Sequence, residues 1–527
     1  MNSENSDHVA ITTPLYYVNG LPHIGSAYPT IAADALARFY RLRGQPTLFI
    51  TGTDEHGQKI QRTAEELHIP PQEHCDRIVT EFQSLWQQLN IKYDRFSRTT
   101  DVRHQAIVNE FFQLVFKTGD IYLSQQQGWY CVACEEFKEE RELLADHHCP
   151  THTNVTCEWR DEANYFFRLS KYQAKLEQLY RDRPKFIQPE SRRNEVLGFV
   201  AQGLTDFSIS RINLSWGFPV PTDPQHTIYV WFDALLGYIT ALLDPDDEPT
   251  LANALKTWYP IKVHIIGKDI LRFHAVYFPA MLMSAGLEIP ERIFGHGLLT
   301  KDGVKMGKTL GNVIDPYALV KKYGADPIRY YFLREIEFGK DGDFSEDRFI
   351  SSVNADLANS LGNLLNRSLG MVAKYCDRTI PPSDSANIDP HILSLIEPVK
   401  SKAINLGDRV SESYKDLAFR SACEQILELI WDCNKLIDDA TPWKLFKAGK
   451  TAEVNQLLYS ILESVRIAAY LLSPIIPQIS QEIYRQLCLD FTELEPPLWE
   501  HTKWGIIKSG TILADFKPVF QRLEIAS

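Results

Sequence analysis

Apolar and polar positions divide this chain into two textures. Up to about Ser345, short apolar runs alternate with longer amphipathic stretches. Val9-Ala10-Ile11-Thr12-Thr13 reads as a strand, followed by a loop from Pro14 to Pro22. An amphipathic stretch from Ser26 to Arg43 then reads as a helix that Gly44 stops. Thr47 to Ile50 is a second apolar strand, Arg103 to Lys117 a helix, and Tyr165-Phe166-Phe167-Arg168-Leu169 a strand-like aromatic run. After Asp343-Phe344-Ser345 apolar residues recur at three and four, as in Leu357, Leu361, Leu364, Leu365 and Leu369. Further helical stretches run over 392–406, 414–438 and 452–472, and Pro474 and Pro477 break the last of them. The pattern predicts an α/β first part, with a parallel sheet of the dinucleotide-binding type, and an all-α bundle after it. The segment after Arg485 is less regular, and packing is its expected role.

Two short segments carry candidate chemistry. His23-Ile24-Gly25-Ser26 stands where the first strand and loop feed a helix. A helix N-terminus presents free N–H groups and partial positive charge to an anion, and a Gly there lets a nucleotide approach the backbone. Lys305-Met306-Gly307-Lys308-Thr309 lies between Gly303 and Gly311, a glycine-flanked loop able to close over a triphosphate. Alone, a His-x-Gly is common and a lysine-rich loop is ordinary surface. Together, in this order, they resemble the two signatures of class I aminoacyl-tRNA synthetases, His-Ile-Gly-His and Lys-Met-Ser-Lys-Ser. Ser26 replaces the second His, and Gly307 and Thr309 replace two serines. Ser26 and Thr309 keep a hydroxyl donor for phosphate, while Gly307 adds loop freedom.

Composition fits a large enzyme of about three to four domains. No run of about 18 uncharged apolar residues appears, so no membrane-spanning helix and no membrane partner is expected. Met1 to Asp7 is polar, without an apolar signal region, which points to the cytoplasm. The net charge of −13 argues against a nonspecific nucleic-acid binder. It leaves room for a local basic face, for which Arg192-Arg193, Lys321-Lys322 and the loop lysines are available.

Of the nine cysteines, Cys75, Cys376, Cys423, Cys433 and Cys488 are scattered and read as small buried hydrophobes. The others crowd together: Cys131-x2-Cys134, fourteen residues, then Cys149-x2-His152, with Cys157 as an alternative fourth ligand and His147 and His148 close by. Paired ligands joined by a loop suit one tetrahedral structural Zn²⁺. The repeated x2 spacing favours His152. The knuckle belongs to an inserted subdomain.

Tyr229-Val230-Trp231-Phe232-Asp233-Ala234-Leu235, with Tyr238 one turn beyond Ala234, is an apolar aromatic stretch; Leu15, Tyr16 and Tyr17, and Phe273-His274 after Gly267-Lys268-Asp269, could join it. Such walls suit an unbranched thioether, and Asp54, after the second strand, is placed to fix an ammonium group. In order and wording these segments resemble the methionyl-tRNA synthetase family over essentially the whole chain. That resemblance implies a methionine site of Leu15, Tyr17, Asp54, Trp231, Ala234, Leu235, Tyr238, Phe273 and His274. It places His23, Gly25, Ser26, Gly267, Asp269, Lys305, Met306 and Lys308 at ATP, with His23, Lys305 and Lys308 catalytic and Mg²⁺ on the leaving pyrophosphate. Asn363 and Arg367, four apart on one helix face, and Trp443 match the family's anticodon-reading positions.

The implied reaction is activation of methionine by ATP, then transfer to the 3′ end of tRNA(Met), in a monomer. Two other readings compete: another class I enzyme such as cysteinyl-tRNA synthetase, and a non-catalytic tRNA-binding paralogue. The branched-aliphatic synthetases need a large editing insertion, because one methylene is worth only about 1–3 kcal/mol; the interval here is filled by the knuckle and its flanks. The expected domains are 1–115 and 225–300 for the two halves of the catalytic fold, 116–224 for the insertion with its knuckle at 128–160, 301–355 for the lysine loop and stem-contact region, and 356–527 for the helical domain and tail.

Overall fold

The computed structural model describes residues 8–138, 140–212, 214–306, 312–383, 388–489 and 498–524. It divides into two compact units. The first gathers residues up to Ala33, Thr47–Gln87 and Ile91–His296; the second gathers Asp34–Pro46, Gln88–Asn90 and everything from Gly297 onward.

The first unit is built on a six-stranded sheet of β1 (Val9–Tyr17), β2 (Thr47–Asp54), β3 (Arg95–Arg98), β4 (Ile187–Gln188), β5 (Val263–Gly267) and β6 (Ile293–His296), in the order β3-β2-β1-β5-β6-β4. Every pairing is parallel; Ile11 sits between Phe49 of β2 and Val263 of β5. Central strands buried on both faces need continuous apolar runs, which is why Val9-Ala10-Ile11 and Val263 to Ile266 carry so few polar side chains. Helices Val102–Lys117, Val230–Thr240 and Phe278–Ala285 share one apolar cluster, with Phe111, Phe112, Phe232, Leu236 and Met281 in it. The strand order reverses between β1 and β5. In open parallel sheets, ligands bind at such a reversal, beyond the carboxyl ends of the strands.

The interval 121–208 contains a separate antiparallel sheet of Glu136–Lys138, Ile121–Cys131, Glu158–Phe167 and Phe207–Ser208. The aromatic run at 165–167 forms its long central pairing with 121–123. The insertion is not wholly apart from the nucleotide fold, because β4 leaves it to pair with β6 at the edge of the parallel sheet. Two residues are too short a run for periodicity to reveal.

In the second unit, helices Pro390–Lys415, Phe419–Ala440 and Thr451–Leu472 pack against one another. Thr451–Leu472 is buried over nearly its whole length, and its charged residues Glu463 and Arg466 pair with each other at 2.6 Å in the interior. The stretch expected as one helix over 414–438 is two, because Leu417 takes a left-handed conformation (φ 57°) and turns the chain. The tail after residue 498 is irregular yet tied down. Asn354 donates to the Leu523 carbonyl and accepts from the Leu523 amide, and Gln486 donates to the Lys517 carbonyl. Among the described residues no helix is long and apolar enough to cross a membrane.

Candidate active site and metal knuckle

The carboxyl ends of the parallel strands bring most of the expected residues to one rim. Tyr17 ends β1, Asp54 ends β2 and is paired with it in register, and Gly267 ends β5 with Asp269 in the turn beyond. The helix Ile24–Leu42 starts just past β1, with exposed His23 before its first residue. The Gly25 amide donates to His23 Nδ1 (3.0 Å), which places the proton of a neutral ring on Nε2. A Cβ on Gly25 would stand 2.8 Å from that ring, so only glycine lets the imidazole fold over the turn. The Ser26 hydroxyl does not point outward as its expected phosphate role requires. It donates to the His23 carbonyl (2.7 Å) and accepts from the His23 amide (3.1 Å), the back half of a capping box. Met306 lies in the second unit just after the strand Val304–Lys305; the Lys305 side chain and Lys308 lie outside the described residues.

Beside this rim the aromatic residues converge. Trp231 stacks flat on Phe273, centroids 3.8 Å apart and planes within 5°. Tyr238 donates to His274 Nε2 (2.8 Å), since His274 Nδ1–H is committed to the Ile270 carbonyl (3.0 Å). His274 sits in a π-helical stretch, Phe273–Tyr277, a one-residue bulge that turns its ring toward Tyr238. Burial pulls its pKa down to about 4, so it is neutral at physiological pH. Ala234 and Leu235 are buried on the same helix as Trp231 and Tyr238, and the methyl of Leu15 lies against Gly237 of that helix.

Asp54 Oδ1 is buried in this pocket without a hydrogen-bond partner. Burial, then the nearby Asp233 and Glu135 carboxylates, pushes the Asp54 carboxyl well above its usual range. A buried acceptor without a donor is costly, and its presence in a native cleft marks the place of an absent donor.

Several residues here had no part in the sequence reading. Asp233 accepts from His56 Nδ1 (2.6 Å) and His104 Nε2 (2.8 Å), tying β2's following loop to two helices. Burial opposes its charge, but the two imidazoles outweigh this and hold it at about 2. His264 on β5 bonds Thr12 of β1 (2.7 Å). Arg211, buried, lies 4.1 Å over the Tyr229 ring and donates to Ser208 Oγ (2.8 Å). A polar Asp inside the run 229–235 was a usable signal; His104 and Arg211 lie in unremarkable contexts.

The knuckle residues Cys131, Cys134, Cys149 and His152 face one another, their ligand atoms all within 4.8 Å. Cys134 Sγ lies 3.2 Å from His152 Nδ1 and 3.5 Å from Cys149 Sγ. Three thiols and one imidazole closing on one point fit a tetrahedral metal with no open position. Cys157 is buried alongside, outside that group of four.

In the second unit Asn363 and Arg367 lie on the helix Asn363–Tyr375. Arg367 pairs with Asp438 (2.7 Å), near the end of Phe419–Ala440. From there the chain turns through left-handed Thr441 into Pro442–Lys447, which carries Trp443, 39% exposed.

The family described as tRNA synthetases class I (M) matches residues 9–156 and 144–369, and the anticodon-binding domain of tRNA ligases matches 399–514. A Methionine–tRNA ligase of Synechocystis is 62% identical over 98% of both chains. A chloroplastic/mitochondrial Methionine–tRNA ligase of Arabidopsis thaliana is 50% identical over 99% of this chain and 84% of its own. Among solved structures, Mycobacterium tuberculosis methionyl-tRNA synthetase in complex with methionyl-adenylate superposes with a TM-score of 0.91 at 40% identity, covering 98% of this chain and 100% of that one. The fold is thus shared along nearly the whole length, and the chain belongs to the class I methionyl-tRNA synthetase family.

Proposed function

We propose that this protein is a methionine–tRNA ligase whose amino-acid pocket is the cleft around Asp54, Tyr17, Trp231, Tyr238 and His274. The single observation that carries the pocket is the unpartnered Asp54 Oδ1, buried where β1 and β2 end side by side. An α-ammonium group supplies the missing donor. The thioether lies among Leu15, Ala234, Leu235 and the stacked Trp231–Phe273 pair, where neutral Tyr238 and His274 present no charge to be desolvated.

A methionine carboxylate oxygen attacks the α-phosphorus of ATP; the bond to the β-phosphate breaks and pyrophosphate leaves. The tRNA 3′-terminal hydroxyl then attacks the adenylate carbonyl, giving methionyl-tRNA and AMP. The chain's work is positioning and charge stabilisation. His23 offers Nε2–H to phosphate, Gly25 and Ser26 hold it there, Gly267 and Asp269 take the nucleoside, and Met306, Lys305 and Lys308 serve ATP. Mg²⁺ would neutralise the leaving pyrophosphate. A zinc ion would be structural, held by Cys131, Cys134, Cys149 and His152. We assign the enzyme to the cytoplasm as a monomer.

Methionine-dependent exchange of pyrophosphate into ATP tests the function. Exchange with methionine is expected; exchange with cysteine only, or none, ends this reading. For the knuckle, one zinc per chain is expected in purified protein and a marked loss in Cys131→Ser; full metal content in the variant refutes the ligand set. For the anticodon face, Trp443→Ala is expected to lower kcat/KM for tRNA by about 10- to 100-fold, the value of one base stacked on a ring, while exchange stays unchanged. Equal charging removes Trp443 from the interface.

A further inference from the structure

We propose that Glu135 is a positioning residue of the amino-acid pocket, reaching out of the metal knuckle to cap the helix that follows Asp54; the proposal rests on the pocket assignment above. Glu135 comes directly after Cys134 and holds a left-handed backbone (φ 54°), rare for a residue with a long side chain. It is a carboxylate only 5% exposed. Its Oε1 accepts from the Lys59 amide at 2.9 Å.

That amide is in the first turn of the helix Gln58–Glu66, whose N-cap residue, Gly57, has no side chain to cap it. Helix N-termini need an acceptor, and an anionic one is favoured. Here it arrives from a different part of the chain. Gly57 makes room for it: its φ is 114°, and a Cβ there would stand 2.5 Å from both carboxylate oxygens. The segment Asp54-Glu55-His56-Gly57 is therefore pinned at its far end by Glu135. Lys59 passes the constraint to the pocket, since its ammonium lies 5.9 Å over the Tyr17 ring. Tyr17 also faces the Glu135 carboxylate directly, and it ends β1 beside Asp54, whose unpartnered Oδ1 carries the ammonium assignment. A cap serving only stability would not single out one substrate.

The test is exchange kinetics on Glu135→Ala, Glu135→Asp and Glu135→Gln in the full-length protein, with metal content and thermal midpoint measured on each. Loss of the cap in Glu135→Ala is expected to raise KM for methionine by about 10- to 100-fold, with KM for ATP changed less than about twofold and metal content retained. Glu135→Asp keeps the charge but is one methylene too short, and is expected to behave like Glu135→Ala. Glu135→Gln still offers an oxygen to the Lys59 amide, and is expected to stay within about threefold of the parent. An unchanged methionine KM in Glu135→Ala overturns the proposal, as does an equal rise for ATP or a rescue by Asp instead of Gln. Loss of metal in all three variants also overturns it, because Glu135 would then serve the knuckle alone. Absence of methionine-dependent exchange in the unsubstituted protein is a failure of the functional reading instead.

Discussion

Asp54→Asn is expected to lower kcat/KM for methionine in pyrophosphate exchange by about 100- to 10 000-fold, the consequence of leaving a buried charge without its partner. The change is nearly isosteric, so the fold should survive. The amide loses the charge that an ammonium seeks and turns a donor toward it. A pH dependence accompanies the effect. Burial and the neighbouring Asp233 and Glu135 carboxylates raise the Asp54 carboxyl well above its ordinary range. In the free protein the group therefore holds its proton up to a higher pH than the unfolded chain does. Between those two values the native state binds more protons, so this group's contribution to stability falls as pH rises. Bound methionine reverses the preference, because its ammonium favours the ionised carboxylate. Methionine binding is thus expected to release a proton and to tighten as pH rises through the Asp54 value. The KM for methionine measured across pH, in the parent and in Asp54→Asn, checks this. A flat profile in the parent, or a variant within threefold of it, removes Asp54 from the ammonium site.

Arg329→Ala is expected to cost the second unit about 3–5 kcal/mol, the penalty for breaking a fully buried ion pair from one side. The Arg329 guanidinium pairs with Asp34 at 2.6 Å, and both are shut off from solvent. It also donates to the carbonyls of Pro474 and Ile475, each at 2.8 Å. Asp34 keeps Arg38 as a partner (2.7 Å), so its charge is not wholly stranded. The two carbonyls are: they close the break between helices 451–472 and 477–486 and, apart from the guanidinium, are shielded from water. Denaturant unfolding followed by helical circular dichroism measures the loss. A change below about 1 kcal/mol, the size of an exposed pair, would show that these bonds are replaced by water.

Two strands of the parallel sheet and several helix limits were legible because periodicity and punctuation decide them locally, although the first strand runs on to Tyr17 through the stretch expected as a loop. The run 9–13, the stop at Gly44 and the proline break at 474–477 are written in adjacent residues. The knuckle ligands were legible for a related reason. An x2 turn brings its two ends together whatever surrounds it, so Cys131, Cys134, Cys149 and His152 needed no fold to be paired. Ser26 shows the limit of that kind of reading: its residue type suited a phosphate, yet the first turn of its own helix claims the hydroxyl.

From the chain alone came the two textures, the paired metal ligands and the residue types a nucleotide and a thioether require, all properties of neighbours in sequence. Three things belong to the tertiary structure: that Asp54 Oδ1 lacks a donor, that His56 and His104 share Asp233, and that a glutamate of the knuckle caps a helix near the pocket. Each depends on groups separated by dozens to hundreds of residues, and only chain folding sets the distance and the exclusion of water that give such groups their energies.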